Sequence, residues 1–98
     1  MIPFTRRAEQ QLAELRDHYE ALDRIEAILN LLAAVQEASD AIERNPAAGY
    51  PAPRPYPQLA RSGWAWVKTR RYWVAYSTAP ALVITAVFYE SANIPGRV

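Results

Sequence analysis

The sequence contains no cysteine, which removes disulfide staples, thiolate metal sites and cysteine nucleophiles together and fits a reducing cytoplasm. No stretch approaches the about 20 apolar residues that span a bilayer, and residues 1–11 are charged and polar, without the apolar core of a secretory signal. A cytoplasmic protein with no membrane partner is expected. Histidine is nearly missing as well: His18 stands alone, and no carboxylate occurs between Glu43 and Glu90. General acid–base chemistry is thus poorly supplied, and neither a metal nor a cofactor is expected.

What remains is enough to fold. At 98 residues the chain has room for one domain over 1–98, and a hydrophobic share of 51% is too high for a disordered segment. A chain this short buries only about 60 to 65% of its unfolded surface, so an apolar face left open would matter, and a partner is expected to complete it. The formal charge of +1 conceals a segregation. Residues 1–43 carry nine acids against four arginines, a balance of −5, whereas residues 44–98 carry one acid against six arginines and Lys68, a balance of +6. A basic half points to an anionic partner, either nucleic acid or an acidic protein.

Ile2 to Phe4 reads as a short extended start, and the Thr5 hydroxyl can cap a following helix. Ala8, Leu12, Leu15, Tyr19 and Leu22 recur at steps of four and three, the spacing of one helical face. Asp23 followed by Glu26 resembles a capping pair, so a second helix is expected from about Arg24, antiparallel to the first. Its stripe reads Ile25, Ile28, Leu32, Val35 and Ile42, with alanines between that permit close approach, and these apolar residues are assigned to the hairpin itself. Asn45-Pro46 ends it. Five prolines between Asn45 and Gly63 then read as a stiff extended crossover, pinned by Tyr50 and Tyr56.

Beyond Gly63 the period becomes strand-like. Trp64 to Thr69, Tyr72 to Ser77 and Leu82 to Tyr89 are expected as an antiparallel meander, turning at Arg70-Arg71 and around Thr78 to Ala81. Alternation separates Trp64, Trp66 and Lys68 from Ala65, Val67 and Thr69, and Tyr72, Val74 and Tyr76 from Trp73, Ala75 and Ser77. The fold class is α+β: two helices packed on one face of a sheet made by the meander and the N-terminal segment. The other face is expected to remain bare.

This order of elements resembles the RelE/ParE superfamily of bacterial toxins from type II toxin–antitoxin modules. The resemblance rests on Asn45-Pro46-Ala47-Ala48-Gly49 ending the second helix, Tyr72-Trp73-Val74-Ala75-Tyr76 as the central strand, the Val83 to Tyr89 strand, and a polar tail with Arg97. It implies a toxin held inactive by a cognate antitoxin lying along its helices or over its sheet. It also implies one of two targets: DNA gyrase, bound without nuclease chemistry as by ParE-like toxins, or messenger RNA on the ribosome, cleaved as by RelE-like toxins.

Metal-free RNA cleavage needs a group to activate the 2′-hydroxyl, a proton donor and cations for the phosphate. Lys68, Arg70 and Arg71 can supply cations, and Tyr89 stands where many superfamily members carry a histidine. A phenol with an ordinary pKa near about 10 would need strong tuning to act. His18 reads as a solvated helix position. The ParE-like reading, gyrase inhibition by binding, is therefore preferred, with Arg61, Lys68, Arg70, Arg71 and Arg97 as target-binding residues. Trp64, Trp66, Trp73 and Tyr89 read as core mass or as anchors for the antitoxin. A diverged protein that binds antitoxin without toxicity is the remaining alternative.

Overall fold

A computed structural model describes residues 1–61 and 63–91. Helix α1 spans Arg6–Ala21 and helix α2 spans Ile25–Arg44; strands β1 (Trp64–Thr69), β2 (Tyr72–Ser77) and β3 (Val83–Tyr89) form an antiparallel sheet in the order β1-β2-β3. The class is α+β, with the helical hairpin preceding and packing on the meander.

Helix α1 begins as its sequence dictates: Thr5 is extended and its hydroxyl accepts from the Ala8 N–H at 3.1 Å, satisfying one of the amides a helix start leaves open. The second start differs from expectation. Asp23 lies at φ 55°, in the left-handed region that aspartate tolerates better than most residues, and therefore does not cap α2. Arg24 holds the cap position with no side-chain cap bond, and Glu26 pairs with Arg24 instead. At the other end α2 stops at Arg44, and Pro46 opens a short 3-10 turn over Pro46–Ala48.

The phase of α2 also differs. Ala27, Leu31, Ala34, Val35, Ala38 and Ile42 face inward, whereas Ile25 and Leu32 are 64% and 49% exposed. The line of alanines is the reason. Small side chains let the helix axis approach the sheet closely, so the helix turns this line inward together with Leu31, Val35 and Ile42 and leaves Ile25 and Leu32 outside.

The sheet follows the alternation. Tyr72, Val74, Tyr76, Ile84 and Val87 join the core beneath the helices, and Ala65, Val67 and Tyr89 pack at its margin. Tyr76 pairs with Ile84 but Ala75 pairs with Ala86, so Thr85 is an extra residue and the side-chain phase of β3 reverses there. The N-terminal segment joins β3 through one parallel bridge, with Thr5 N–H and Ile84 N–H each donating 2.9 Å bonds across the pair. The β2–β3 connection contains a cis Ala79–Pro80 peptide.

The expected bare face is not bare. Trp66, Trp73, Ala75, Ala86 and Phe88 form a second buried cluster, with Tyr56, Leu59 and Trp64 packed against it. The proline-rich crossover supplies the cover and is not simply extended, since it contains a second 3-10 turn at Pro57–Leu59. It rounds the β1 edge at Gly49, where an added Cβ would lie 2.8 Å from the Ala65 Cβ, so only glycine permits this approach. Tyr50 then exchanges two 2.7 Å backbone bonds with Trp66, fixing the linker against β1. Tyr50 and Tyr56 thus do pin the crossover, the first chiefly through its backbone.

Candidate binding site

The β1–β2 turn is only two residues long, because Thr69 pairs directly with Tyr72. Arg70 takes φ 54° to close it, an uncommon geometry for a residue with a side chain. That turn sends Arg70 and Arg71 apart. Arg70 reaches α2, donating to Glu37 at 3.0 and 3.1 Å and to Asn30 at 2.9 Å. Arg71 donates through Nε to Glu90 at 2.7 Å, and Lys68 Nζ meets the other Glu90 oxygen at 2.9 Å. The lone acid of the basic half therefore joins two of its cations. Lys68 first and Arg71 second hold the Glu90 carboxyl below the usual carboxylate range.

Lys68 lies on the linker face, 5.9 Å from the Trp73 ring centroid, while Tyr89 packs on the helix face. Arg71 sits 5.6 Å over the Tyr89 ring, whose edge meets Tyr72 at 5.5 Å. Tyr72 and Tyr19 share a 2.6 Å hydroxyl bond, and burial first, then this bond, raises the Tyr72 phenol well above its ordinary value. Beside these rings an open cleft of about 840 Å³ runs between the closed end of the helical hairpin and the tip of the meander.

The structure thus gathers Lys68, Arg70 and Arg71 at one end of the sheet. Arg61 is separated from them: it stacks over Trp64 at 4.5 Å, at the start of β1 and about 13 Å along the strand from Lys68 at ordinary strand rise. Arg97 lies outside the described residues. Of the aromatic anchors, Trp66 and Trp73 are 0% and 4% exposed and are core, not surface, because the linker covers them. Trp64 and Tyr89 are half-buried. The quartet Lys68, Arg70, Arg71 and Tyr89 is divided between the two faces of the sheet. His18 is on an exposed helix position, as expected, though it also borders the cleft.

Sequence reasoning missed one feature. Leu22, Ile25, Leu29 and Leu32 form an apolar stripe on the outer face of the hairpin, all between 49% and 64% exposed. Its signal was an excess: α2 carries more large aliphatic residues than one inward face can take.

A helical hairpin followed by a linker and an antiparallel meander is compatible with the fold of RelE/ParE-type toxins. A family model described as ParE toxin of type II toxin–antitoxin system, parDE, matches residues 2–93, and the chain belongs to that family. It is therefore a type II toxin, and membership implies an antitoxin partner. No curated protein matches the chain. Among the described residues, no helix is long and apolar enough to cross a membrane.

Proposed function

We propose that this toxin acts in the cytoplasm by binding DNA gyrase, without nuclease chemistry, and that a cognate antitoxin neutralises it. The observation that carries the reading is the meander tip. Lys68, Arg70 and Arg71 are each oriented by a specific acceptor, which makes a preorganised cationic end suited to an acidic protein surface. RNA cleavage finds less support, since Lys68 lies on the linker face of the sheet and Tyr89 on the helix face. For the antitoxin, the stripe of Leu22, Ile25, Leu29 and Leu32 replaces Trp66 and Trp73 as the anchoring surface, together with half-buried Trp64 and Tyr89.

The test is a gyrase supercoiling assay with purified protein. Inhibition is expected, and the Lys68→Ala, Arg71→Ala double variant is expected to weaken it by about tenfold or more. No inhibition by the folded wild-type protein, together with cutting of RNA, would move the assignment to the ribonuclease branch.

A further inference from the structure

The cations of the meander tip are each matched to an acid of this chain, but Arg54 and Arg61 are not. Among the described residues neither meets a carboxylate; both lie over rings instead, Arg54 over Tyr50 at 4.8 Å and Arg61 over Trp64 at 4.5 Å. Residues 45–67, the linker and most of β1, contain no acid at all, so nothing local neutralises the two charges. The nine acids of residues 1–43 sit on the helices and their link, against the opposite face of the sheet. The two stacks share the linker face. Tyr50 is bridged to Trp66, two positions or about 7 Å along β1 from Trp64. Its ring meets Trp73 edge-on at 6.5 Å, and Lys68 lies 5.9 Å from the same indole, so Arg54 and Lys68 are at most about 17 Å apart. Stacking holds each guanidinium plane on a ring and leaves its edge donors for an anion, apart from the single 2.6 Å bond that Arg54 donates to the Tyr50 hydroxyl.

We infer that the linker face contacts the phosphate backbone of duplex DNA. Two features select this partner. Beyond residue 44 the only large hydrophobic side chain exposed among the described residues is Tyr50, at 41%, so the face lacks the aliphatic anchor on which a protein interface centres. Such an anchor exists elsewhere, in the Leu22 to Leu32 stripe of the hairpin. Contacts with DNA need none, being more polar and far more positive than protein interfaces. The second feature separates a duplex from a single strand: the Tyr50 and Trp64 rings each already carry a guanidinium. Unpaired bases would find that stacking platform occupied, whereas a duplex keeps its bases inside and offers phosphates to the arginines. The inference goes beyond the gyrase reading and does not depend on it.

Fluorescence anisotropy on the purified full chain tests this with three probes: a labelled twenty-base-pair duplex, a single strand of the same length and a polyglutamate peptide. Saturable duplex binding is expected at low salt, equal within about twofold for two unrelated sequences. Raising the salt from about 50 to about 200 mM is expected to weaken it about tenfold, the slope of two phosphate contacts. The Arg54→Ala, Arg61→Ala double variant is expected to weaken binding about tenfold and to flatten that slope, whereas Arg16→Ala, an exposed arginine on α1, leaves both unchanged. If the double variant melts abnormally, the exposed Arg54→Ala alone carries the test, with a loss of about threefold. Tighter binding to the single strand or to polyglutamate overturns the proposal. So does no duplex binding, binding indifferent to salt, or an equal loss on Arg16→Ala. None of these readouts involves gyrase, so the two readings can fail separately.

Discussion

The two faces of the sheet are both buried, but by covers of different regularity. On one side, two helices bring Leu31, Val35 and Ile42 onto Val74, Tyr76 and Ile84, and regular helical hydrogen bonding supports these three covering residues. On the other, the linker covers Trp66, Trp73 and Phe88 with Tyr56 and Leu59, held by one backbone bridge and two short 3-10 turns. The helix face therefore uses medium-sized aliphatic residues in close contact. The linker face uses large rings, with Trp66 stacked on Phe88 at 6.4 Å and tilted against Trp64 at 6.0 Å. An irregular cover cannot interdigitate finely, and broad aromatic surfaces bury much area without requiring it to. With helices over one face and an irregular strap over the other, the meander tip is left as the end where Lys68, Arg70 and Arg71 gather.

That contrast can be broken most sharply at Trp66. Trp66→Ala is expected to cost about 3 to 5 kcal/mol in chemical denaturation, as for other buried indoles; a loss below about 1 kcal/mol would show that the linker does not make a core. Trp66→Phe is expected to cost less than half as much, because the buried indole N–H has no hydrogen-bond partner among the described residues and its removal relieves a desolvation penalty.

The helix face is tested by two adjacent leucines. Leu31→Ala should destabilise by about 2 to 5 kcal/mol, while Leu32→Ala should stay within about 0.5 kcal/mol because its side chain is half in solvent. Equal losses would mean that the helix is turned differently about its axis. In the antitoxin complex the order is expected to reverse, with Leu32→Gln weakening the partner's binding by about tenfold while the free toxin melts normally.

The smallest effect concerns the tip that joins the two faces. Because Lys68 and Arg71 donate to it, the Glu90 carboxyl titrates lower in the folded chain than in the unfolded one. Its contribution to stability is therefore complete above the unfolded value, near about 4.3, and is lost as pH falls through the lower folded value. Carboxyl NMR should show this depression, and Lys68→Ala should move the inflection back toward the ordinary value. An inflection already at the ordinary value in the wild type would show that the bridge does not persist in solution.

Much of this architecture was legible in the residues. Thr5 announced the first helix, Asn45-Pro46 ended the second, and Trp64 to Thr69 and Tyr72 to Ser77 were readable to the residue, with β3 beginning one position later than expected. The cap at Asp23 was not legible, because a left-handed residue in a tight helical link looks in sequence like a capping residue. Nor was the stripe of α2, where Leu31 and Leu32 satisfy the local period almost equally well. At the site, the clustering of Lys68, Arg70 and Arg71 followed from their positions around one turn.

The chain alone determined what depends on neighbours along it: where helical period gives way to alternation, which side chains share a strand face, and that acid gathers in one half and base in the other. Only the tertiary structure decided which apolar stripe of α2 would be buried, that the proline linker would fold back over the tryptophans, and that Arg24 of the helical link would border the same cleft as Arg70 and Arg71. The physical reason is range. Periodicity and backbone geometry act over a few residues, whereas burial and charge pairing are settled by whichever surface happens to lie opposite.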